Sequence, residues 1–366
     1  MKHEFYFLKF AETKILFNIF EKNGIEARFV GGCVRDAILN LKTDDLDLAV
    51  NVNILNIKRI LEQNGIKCFD TGLKYGSITA IVHNRKFEIT SLRTDLKCFG
   101  RDCEISCSTS FEEDAKRRDF TINALYLSKS GELFDYFGGV EDLKNRVIKF
   151  IGNPHDRIKE DYLRIFRYYR FCSKLGDLSN KYHDVIRSEI QGIKILSIER
   201  IQKELFSILQ SKYAQEIIKL MNESGVLQDI KINDLAKITQ CDKLELKLYL
   251  IFELDYLLNV LRLTKLQKTV IKNYQKFQDE SLLYCLYKKG AEFAQDIALI
   301  KSLDIANIAT FSKSLPKFPI SFHDLPEGVR YASKKIEECE KWWVNNNFKK
   351  SKKECLKFIS LLEIPR

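Results

Sequence analysis

Two aspartates separated by a single residue, Asp45 and Asp47, are the first candidates for chemistry in this sequence. On an extended segment, positions i and i+2 project from one face, so their carboxylates stand side by side. Neighbouring anions repel unless a cation sits between them. Hard oxygen ligands of this kind suit Mg²⁺, which takes carboxylates together with substrate phosphates. A pair of such ions can activate a sugar 3′-hydroxyl and stabilise a leaving pyrophosphate. The same Asp-x-Asp spacing also suits a solvated acidic turn after Lys42-Thr43. Against that, Leu46, Leu48 and Val50 alternate through the segment, which gives a strand with one apolar and one acidic face. Glu88 sits in a second alternating run with Phe87, Ile89 and Ser91. If the two strands are neighbours, Glu88 brings a third carboxylate to the same place; taken singly, it is equally an ordinary exposed strand residue.

These side chains need elements to position them. Residues 28–32 read as a short strand running into Gly31-Gly32, 33–40 as a short helix, and 45–50 as the strand that carries the aspartates. A Gly pair before a helix lets backbone N–H groups approach a phosphate, although such pairs are common. Residues 53–64 have helical periodicity closed by Gly65. Residues 77–83 and 86–92 form a hairpin over Asn84-Arg85, and 124–128 with 132–136 form another over Ser130-Gly131. Between them, residues 93–114 are polar and rich in charge and Ser, and read as an irregular, mobile loop. After Gly139 the periodicity turns helical. The candidate helices are 155–175, opened by Pro154, then 181–191, 197–210, 212–223 and 245–262. The class is α+β: a small mixed-sheet head over 1–139, a helical neck over 140–210, and a helical body and tail over 211–366.

Composition agrees. A chain of 366 residues builds two to four packed units. With 16 Gly and 5 Pro, long helices fit better than many short strands joined by turns. The net charge of +10 favours a polyanionic partner, either nucleic acid or an anionic membrane surface. Nowhere do 18 apolar residues run together, so no membrane crossing is expected. The first residues, with Phe7, Phe10, Ile15 and Ile19 among acidic interruptions, read as an amphipathic helix and not as an export signal. A cytoplasmic protein with its ten cysteines reduced is the expectation. Cys98, Cys103 and Cys107 lie close together, but no fourth ligand is near, which argues against zinc. His183-Asp184 has no second His at a workable distance for a phosphohydrolase site. Nothing in the residues specifies an oligomeric state.

The ordered blocks GGCVRD (31–36), DLD (45–47), RRDFTINAL (117–125), EDYLRIFRYYRF (160–171) and ERIQKEL (199–205) resemble the class II tRNA nucleotidyltransferase and poly(A) polymerase family, a branch of the polymerase-β-like superfamily. The resemblance covers roughly residues 25–210. It implies a polymerase-β-like nucleotidyltransferase head followed by an elongated helical neck, body and tail. It also implies a metal pair at Asp45 and Asp47, with Glu88 as third acid. Gly31 and Gly32 take the triphosphate side, and Arg35-Asp36 support that turn. Arg118 and Asp119 meet the phosphates and ribose of the incoming nucleotide, with Asn123 nearby. A guanidinium fork suits phosphate oxygens, and a carboxylate accepts ribose hydroxyls.

Asp161 and Arg164, at i and i+3, fall on one helix face. As acceptor and donor they can imitate the pairing edge of a base, and the resemblance implies that they serve as a protein template for C and A. The same spacing forms an ordinary intrahelical salt bridge, and both can hold. Arg167 and Arg170 continue that helix toward triphosphate or RNA. Glu199, Arg200 and Glu204 read as mainly architectural, and Gly138-Gly139 as a hinge between head and neck.

The activity implied is addition of C, C and A to a tRNA 3′ end from CTP and ATP, with Mg²⁺. CC-only or A-only addition and poly(A) synthesis are the alternatives, and a non-catalytic RNA binder is a remote one. Residues 70–77 (DTGLKYGS) resemble the family's Thr-Gly-x-x-His-Gly-Thr segment, with Tyr75 for His and Ser77 for Thr. The full length of residues 92–114 favours complete addition. The acceptor and TΨC arms of tRNA would lie on the helical body. Lys349, Lys350, Lys352, Lys353 and Lys357 beside Trp342-Trp343 are candidates for its phosphates; a solvated helix face over buried aromatics explains them equally well.

Overall fold

The computed structural model describes residues 5–99, 102–107, 110–233, 235–304 and 315–363, with backbone only for 94–99 and 102–107. The chain divides into two compact units, Met1–Asp229 and Ile230–Arg366.

In the first unit the alternating segments form one mixed sheet. Its early strands are β1 (Ala27–Val30), β2 (Leu46–Val50), β3 (Lys67–Gly72), β4 (Ser77–Val82) and β5 (Arg85–Ser91). A separate ladder pairs β6 (Arg93–Phe99) with β7 (Asp102–Cys107), and β8 (Leu125–Leu127) and β9 (Leu133–Asp135) complete the main sheet. The seven strands lie in the order β3-β4-β5-β2-β1-β8-β9. β2 runs parallel to β5 and antiparallel to β1. Leu46, Leu48 and Val50 of β2 and Phe87 and Ile89 of β5 are all buried and share one apolar face of the sheet, leaving the other face to the acids. Around it lie α1 (Ala11–Lys22), α2 (Gly32–Ile38), α3 (Ile54–Gln63), α4 (Phe111–Lys116) and α5 (Gly139–Lys144). Phe7, Phe17 and Phe20 are buried, and the rings of Phe7 and Phe17 lie 4.6 and 5.5 Å from that of Phe29. Each such ring contributes about 1.5–3 kcal/mol on leaving water.

The helical part of this unit comprises α6 (Pro154–Glu160), α7 (Leu163–Leu175), α8 (His183–Ser188), α9 (Ile198–Leu209) and α10 (Ala214–Glu223). Phe120 joins it to the sheet, with ring centroids 4.8 Å from Phe150 and 5.5 Å from Phe171. Gly139 stands where a Cβ would approach the Thr121 carbonyl oxygen to 2.3 Å. Its neighbour Gly138 holds φ +75° in open space. The Asp135 carboxylate accepts from the N–H groups of Gly139 and Val140 at 2.8 and 2.9 Å. The two glycines expected as a hinge therefore answer different needs, close approach at Gly139 and a left-handed turn at Gly138.

Four expectations are corrected. Residues 93–114 are not irregular throughout: β6 and β7 pair antiparallel, Arg93 opposite Cys107 and Phe99 opposite Asp102, and α4 follows. Gly100 and Arg101 lie outside the described residues. The β4–β5 turn falls at His83-Asn84, one residue early, with His83 at φ +52°. The helix read over 155–175 breaks at Asp161, which is extended (φ −154°, ψ 105°). Its side chain accepts from the N–H of Leu163 at 3.1 Å; Asp competes for local backbone donors in this way, against continuous helix. The helix read over 245–262 is interrupted at Phe252, which is extended and bridges to Ile232, and resumes as a π-helical turn over Tyr256–Val260.

The second unit is helical: α11 (Leu244–Ile251), α12 (Lys265–Phe277), α13 (Leu282–Lys289), α14 (Ala291–Lys301), α15 (Ala332–Asn345) and α16 (Lys352–Leu361). Trp343 is buried and donates to the Lys350 carbonyl at 3.0 Å, while Trp342 stacks on Phe358 at 4.5 Å. Of the nearby lysines, Lys350 pairs with Glu354 and Lys352 with Asp324. Lys349, Lys353 and Lys357 are exposed and make no ion pair among the described residues. No helix among the described residues is long and apolar enough to cross a membrane.

Candidate active site

The parallel pairing of β2 with β5 decides where the acids meet. Asp47 lies opposite Glu88 in register, and Asp45 stands one residue before β2 begins. Burial pushes the Asp47 carboxyl up to about 6; the charges of Glu88 and Asp45 add to this, and Arg118 and Arg35 oppose it. Cys33, wholly buried behind Asp47, is pushed up to about 12 by burial, which favours the neutral thiol.

A cavity of about 990 Å³ opens beside these carboxylates, and every residue expected to hold the metal or the nucleotide borders it. Gly31, Gly32 and Arg35 contribute from the turn into α2, Arg118, Asp119 and Asn123 from the segment after α4, and Asp161, Arg164, Arg167 and Arg170 from the start of α7 onward. Gly31 holds φ +70°, and a Cβ there would meet the Arg118 guanidinium at 3.3 Å. The Gly31 N–H donates to the Leu125 carbonyl at 3.0 Å. What this glycine supplies is room for Arg118, and its N–H is engaged within the sheet.

The polar wall is one connected chain. Lys174 reaches Asp36 at 2.9 Å, and Arg35 bonds both Asp36 (2.9 Å) and the Asn123 side-chain oxygen (2.5 Å). Asn123 donates to Asp119 at 2.9 Å, and Arg167 takes the other Asp119 oxygen at 2.7 Å. Glu204 on α9 then pairs with Arg170. Burial alone would raise Asp119, but the Arg167 charge and the hydrogen bonds from Asn123 and Arg167 outweigh it and bring the carboxyl down to about 2.

Asp161 and Arg164 share the cavity but not a helix face. Asp161 Oδ2 accepts from Arg200 of α9 at 2.7 Å. Arg164 donates to Glu160 and to the Arg157 carbonyl, both at 2.6 Å. No Asp161–Arg164 salt bridge forms, because Asp161 leaves the helix before α7 starts.

The sequence reading missed further contributors. Arg200 and Glu204, taken as mainly architectural, border the cavity directly, as does Lys203. Asp114, buried in α4, takes Arg117 on one oxygen (2.6 Å) and on the other Arg118 (3.1 Å) and the Tyr126 hydroxyl (2.6 Å). Its spacing of three and four residues before the Arg pair was the available signal.

The five acids of the wall outside the β2–β5 edge, namely Asp36, Asp119, Glu160, Asp161 and Glu204, all have cationic partners. Asp45, Asp47 and Glu88 make no ion pair among the described residues. An edge of uncompensated carboxylates facing a cation-lined cavity fits a divalent metal. Among the described residues no three side chains already converge into a closed metal cage. An ion there would complete its shell with water and substrate oxygens, as Mg²⁺ does.

A head with two strand-borne carboxylates at its edge and a helical wall of arginines is the arrangement of a nucleotidyltransferase, and known proteins agree. The family described as "Poly A polymerase head domain" matches residues 27–149, and "Probable RNA and SrmB- binding site of polymerase A" matches 177–231. The mitochondrial CCA tRNA nucleotidyltransferase 1 of Danio rerio is 31% identical over 393 residues, covering 94% of this chain and 89% of that protein. Its Homo sapiens counterpart is 38% identical over 66% of this chain, a stretch spanning 56% of the human protein. The CCA-adding enzyme of Bacillus velezensis is 35% identical over 57% of this chain and 52% of its own length. The chain thus spans little more than half of these last two relatives. The crystal structure of Bacillus stearothermophilus CCA-adding enzyme in complex with CTP superposes with a TM-score of 0.72 at 22% identity, over 96% of this chain and 97% of that one, which shows the fold. The chain belongs to the tRNA nucleotidyltransferase and poly(A) polymerase family, whose members are nucleotidyltransferases that generally depend on a metal.

Proposed function

We propose that this chain adds C, C and A to the 3′ end of tRNA from CTP and ATP, releasing pyrophosphate. The observation that carries the reading is the unpaired Asp45–Asp47–Glu88 edge facing, across one cavity, a wall of paired arginines that includes Asp161 and Arg164. In this reading Asp45 and Asp47 hold Mg²⁺, with Glu88 beside them. Bound there, the metal lowers the cost of a 3′-oxygen nucleophile and of the negative charge on the leaving pyrophosphate.

The protein's own share is positioning and charge. Arg118, fixed from behind by Asp114 and Tyr126, presents its guanidinium beside Gly31 to the triphosphate. Asp119 keeps Arg167 and Asn123 in place at the side of the cavity where the ribose would lie. Asp161, oriented by Arg200, offers an acceptor to a base amino group, and Arg164 offers donors to base acceptors. C and A both carry an exocyclic amino group at the pairing edge, where U and G carry a carbonyl. The hairpin β6–β7 and the unshortened 92–114 segment support complete addition over a CC-only product. Exposed Lys349, Lys353 and Lys357 offer charge for the acceptor and TΨC arms. We place the activity in the cytoplasm; cell fractionation tests this against the mitochondrial location in the vertebrate relatives' names.

The test is incubation with tRNA lacking its 3′ CCA, Mg²⁺, and either CTP plus ATP or ATP alone, followed by 3′-end sequencing. Three added nucleotides are expected. A long A tail identifies a poly(A) polymerase, arrest at CC with ATP present identifies the partial enzyme, and no incorporation returns the chain to RNA binding alone.

A further inference from the structure

One buried cation touches both halves of the nucleotide wall without bordering the cavity. Arg157 lies on α6, one turn before Asp161, with its side chain 11% exposed. It is not among the residues that line the cavity. Its Nη2 donates to the carbonyl oxygens of Arg117 and Arg118, the latter at 2.8 Å. Its Nη1 donates to Glu160, and its own carbonyl accepts from Arg164 at 2.6 Å. The Arg117 and Arg118 carbonyls follow the last turn of α4, where no helical N–H remains to pair with them. A cation is favoured at such a helix end.

We propose that Arg157 is a positioning residue for nucleotide choice, fixing the base-selecting turn at Glu160–Arg164 to the backbone of the phosphate-facing Arg117-Arg118 pair. The proposal rests on the nucleotide-selecting reading given above. The reasoning is geometric. Arg118 is tied to the sheet through Asp114 and Tyr126, and Arg164 is tied to Glu160. The distance between these two groups decides whether a bound triphosphate brings its base to Asp161 and Arg164. Arg157 spans that gap with a planar fork, donating to three acceptors from two nitrogens. Loss of the fork loosens base readout more than phosphate binding. A correct nucleotide then loses its advantage, whereas a wrong one has little to lose.

The experiment measures kcat and KM for single additions of CTP and of UTP to CCA-less tRNA, using the full chain as wild type, Arg157→Gln and Arg157→Lys. Glutamine removes the charge and shortens the reach; lysine restores the charge without the fork. The CTP:UTP ratio of kcat/KM should fall roughly tenfold in Arg157→Gln and about threefold in Arg157→Lys, as charge-assisted hydrogen bonds are lost stepwise. A role in folding alone lowers both nucleotides equally, so a wild-type ratio in either variant overturns the proposal. If Arg157→Gln melts too low to assay, the Arg157→Lys ratio decides. A wild-type chain that adds nothing sinks the underlying functional reading, and the proposal with it. A wild-type chain that adds CCA while the variants keep their ratio sinks the proposal alone.

Discussion

Arg200 Nη2 lies 2.7 Å from Asp161 Oδ2, across 39 residues of sequence, and Asp161 Oδ1 caps the first turn of α7. The carboxylate on which base choice is proposed to depend is therefore held on both oxygens before any nucleotide arrives. Arg200→Leu should behave like Asp161→Ala: incorporation continues, but discrimination of CTP and ATP against UTP and GTP falls about tenfold, the scale of a lost charged hydrogen bond. Because the two groups act as a unit, the double variant should be no worse than either single one. Misincorporation assays on all three measure this, and additive losses would show that the pair does not act together.

Asp45→Ala or Asp47→Ala should abolish incorporation while tRNA binding by filter or gel shift persists. The Asp47 carboxyl, pushed up to about 6, adds a pH signature. The deprotonated form holds the cation, so the Mg²⁺ concentration for half-maximal activity should rise as pH falls from 7 to 5. In ion-free protein the sign is reversed. A raised carboxyl favours the fold below about pH 4, and that contribution is lost as pH rises toward and through 6. Asp47→Asn should accordingly melt above wild type at pH 7 without Mg²⁺, by about 1–3 kcal/mol. An equal or lower melting temperature would falsify the account of an uncompensated acidic edge.

Asp114 is buried beneath two arginines, whose charges outweigh burial and bring it down to about 2. A lowered carboxyl contributes stability above pH 4 that disappears as pH falls through 2. Asp114→Asn leaves Arg118 buried without its counter-charge and should cost about 3–5 kcal/mol. Thermal melts at pH 7 and pH 2.5 provide the check: the gap between variant and wild type should shrink at the lower pH.

Gly138 and Gly139 separate steric need from hinge freedom. Gly139→Ala drives a Cβ against the Thr121 carbonyl and should destabilise by about 2–4 kcal/mol. Gly138→Ala meets nothing within 4 Å and costs about 1 kcal/mol for its positive φ. Denaturant unfolding of both reads the difference, and equal losses would mean that the close approach at Gly139 is unimportant.

Much of the site was legible in the residue order, because strand chemistry is local. The alternation of Leu46, Leu48 and Val50 put Asp45 and Asp47 on one face without reference to the rest of the chain. Glu88 was only a candidate, since no local pattern says which strand pairs with which; the parallel register puts it opposite Asp47. The helix start at Asp161 was misread because apolar periodicity continues through it, while the competing side-chain bond to Leu163 leaves no mark on periodicity. The paired strands β6 and β7 were missed because the segment was read by its charge and Ser content; the alternation of Cys103, Ile105 and Cys107 with Asp102, Glu104 and Ser106 was the available signal.

By itself, then, the order of residues determined which side chains could do chemistry and which short elements carry them, since period and turn preference act over a few neighbours. Only the tertiary structure decided that Arg200 and Glu204 reach from α9 to hold Asp161 and Arg170, and that Arg157 touches two motifs from behind. Those contacts link residues 34 to 40 positions apart. Distance along the chain carries no information about them; the burial of the sheet and of α7 brings them together.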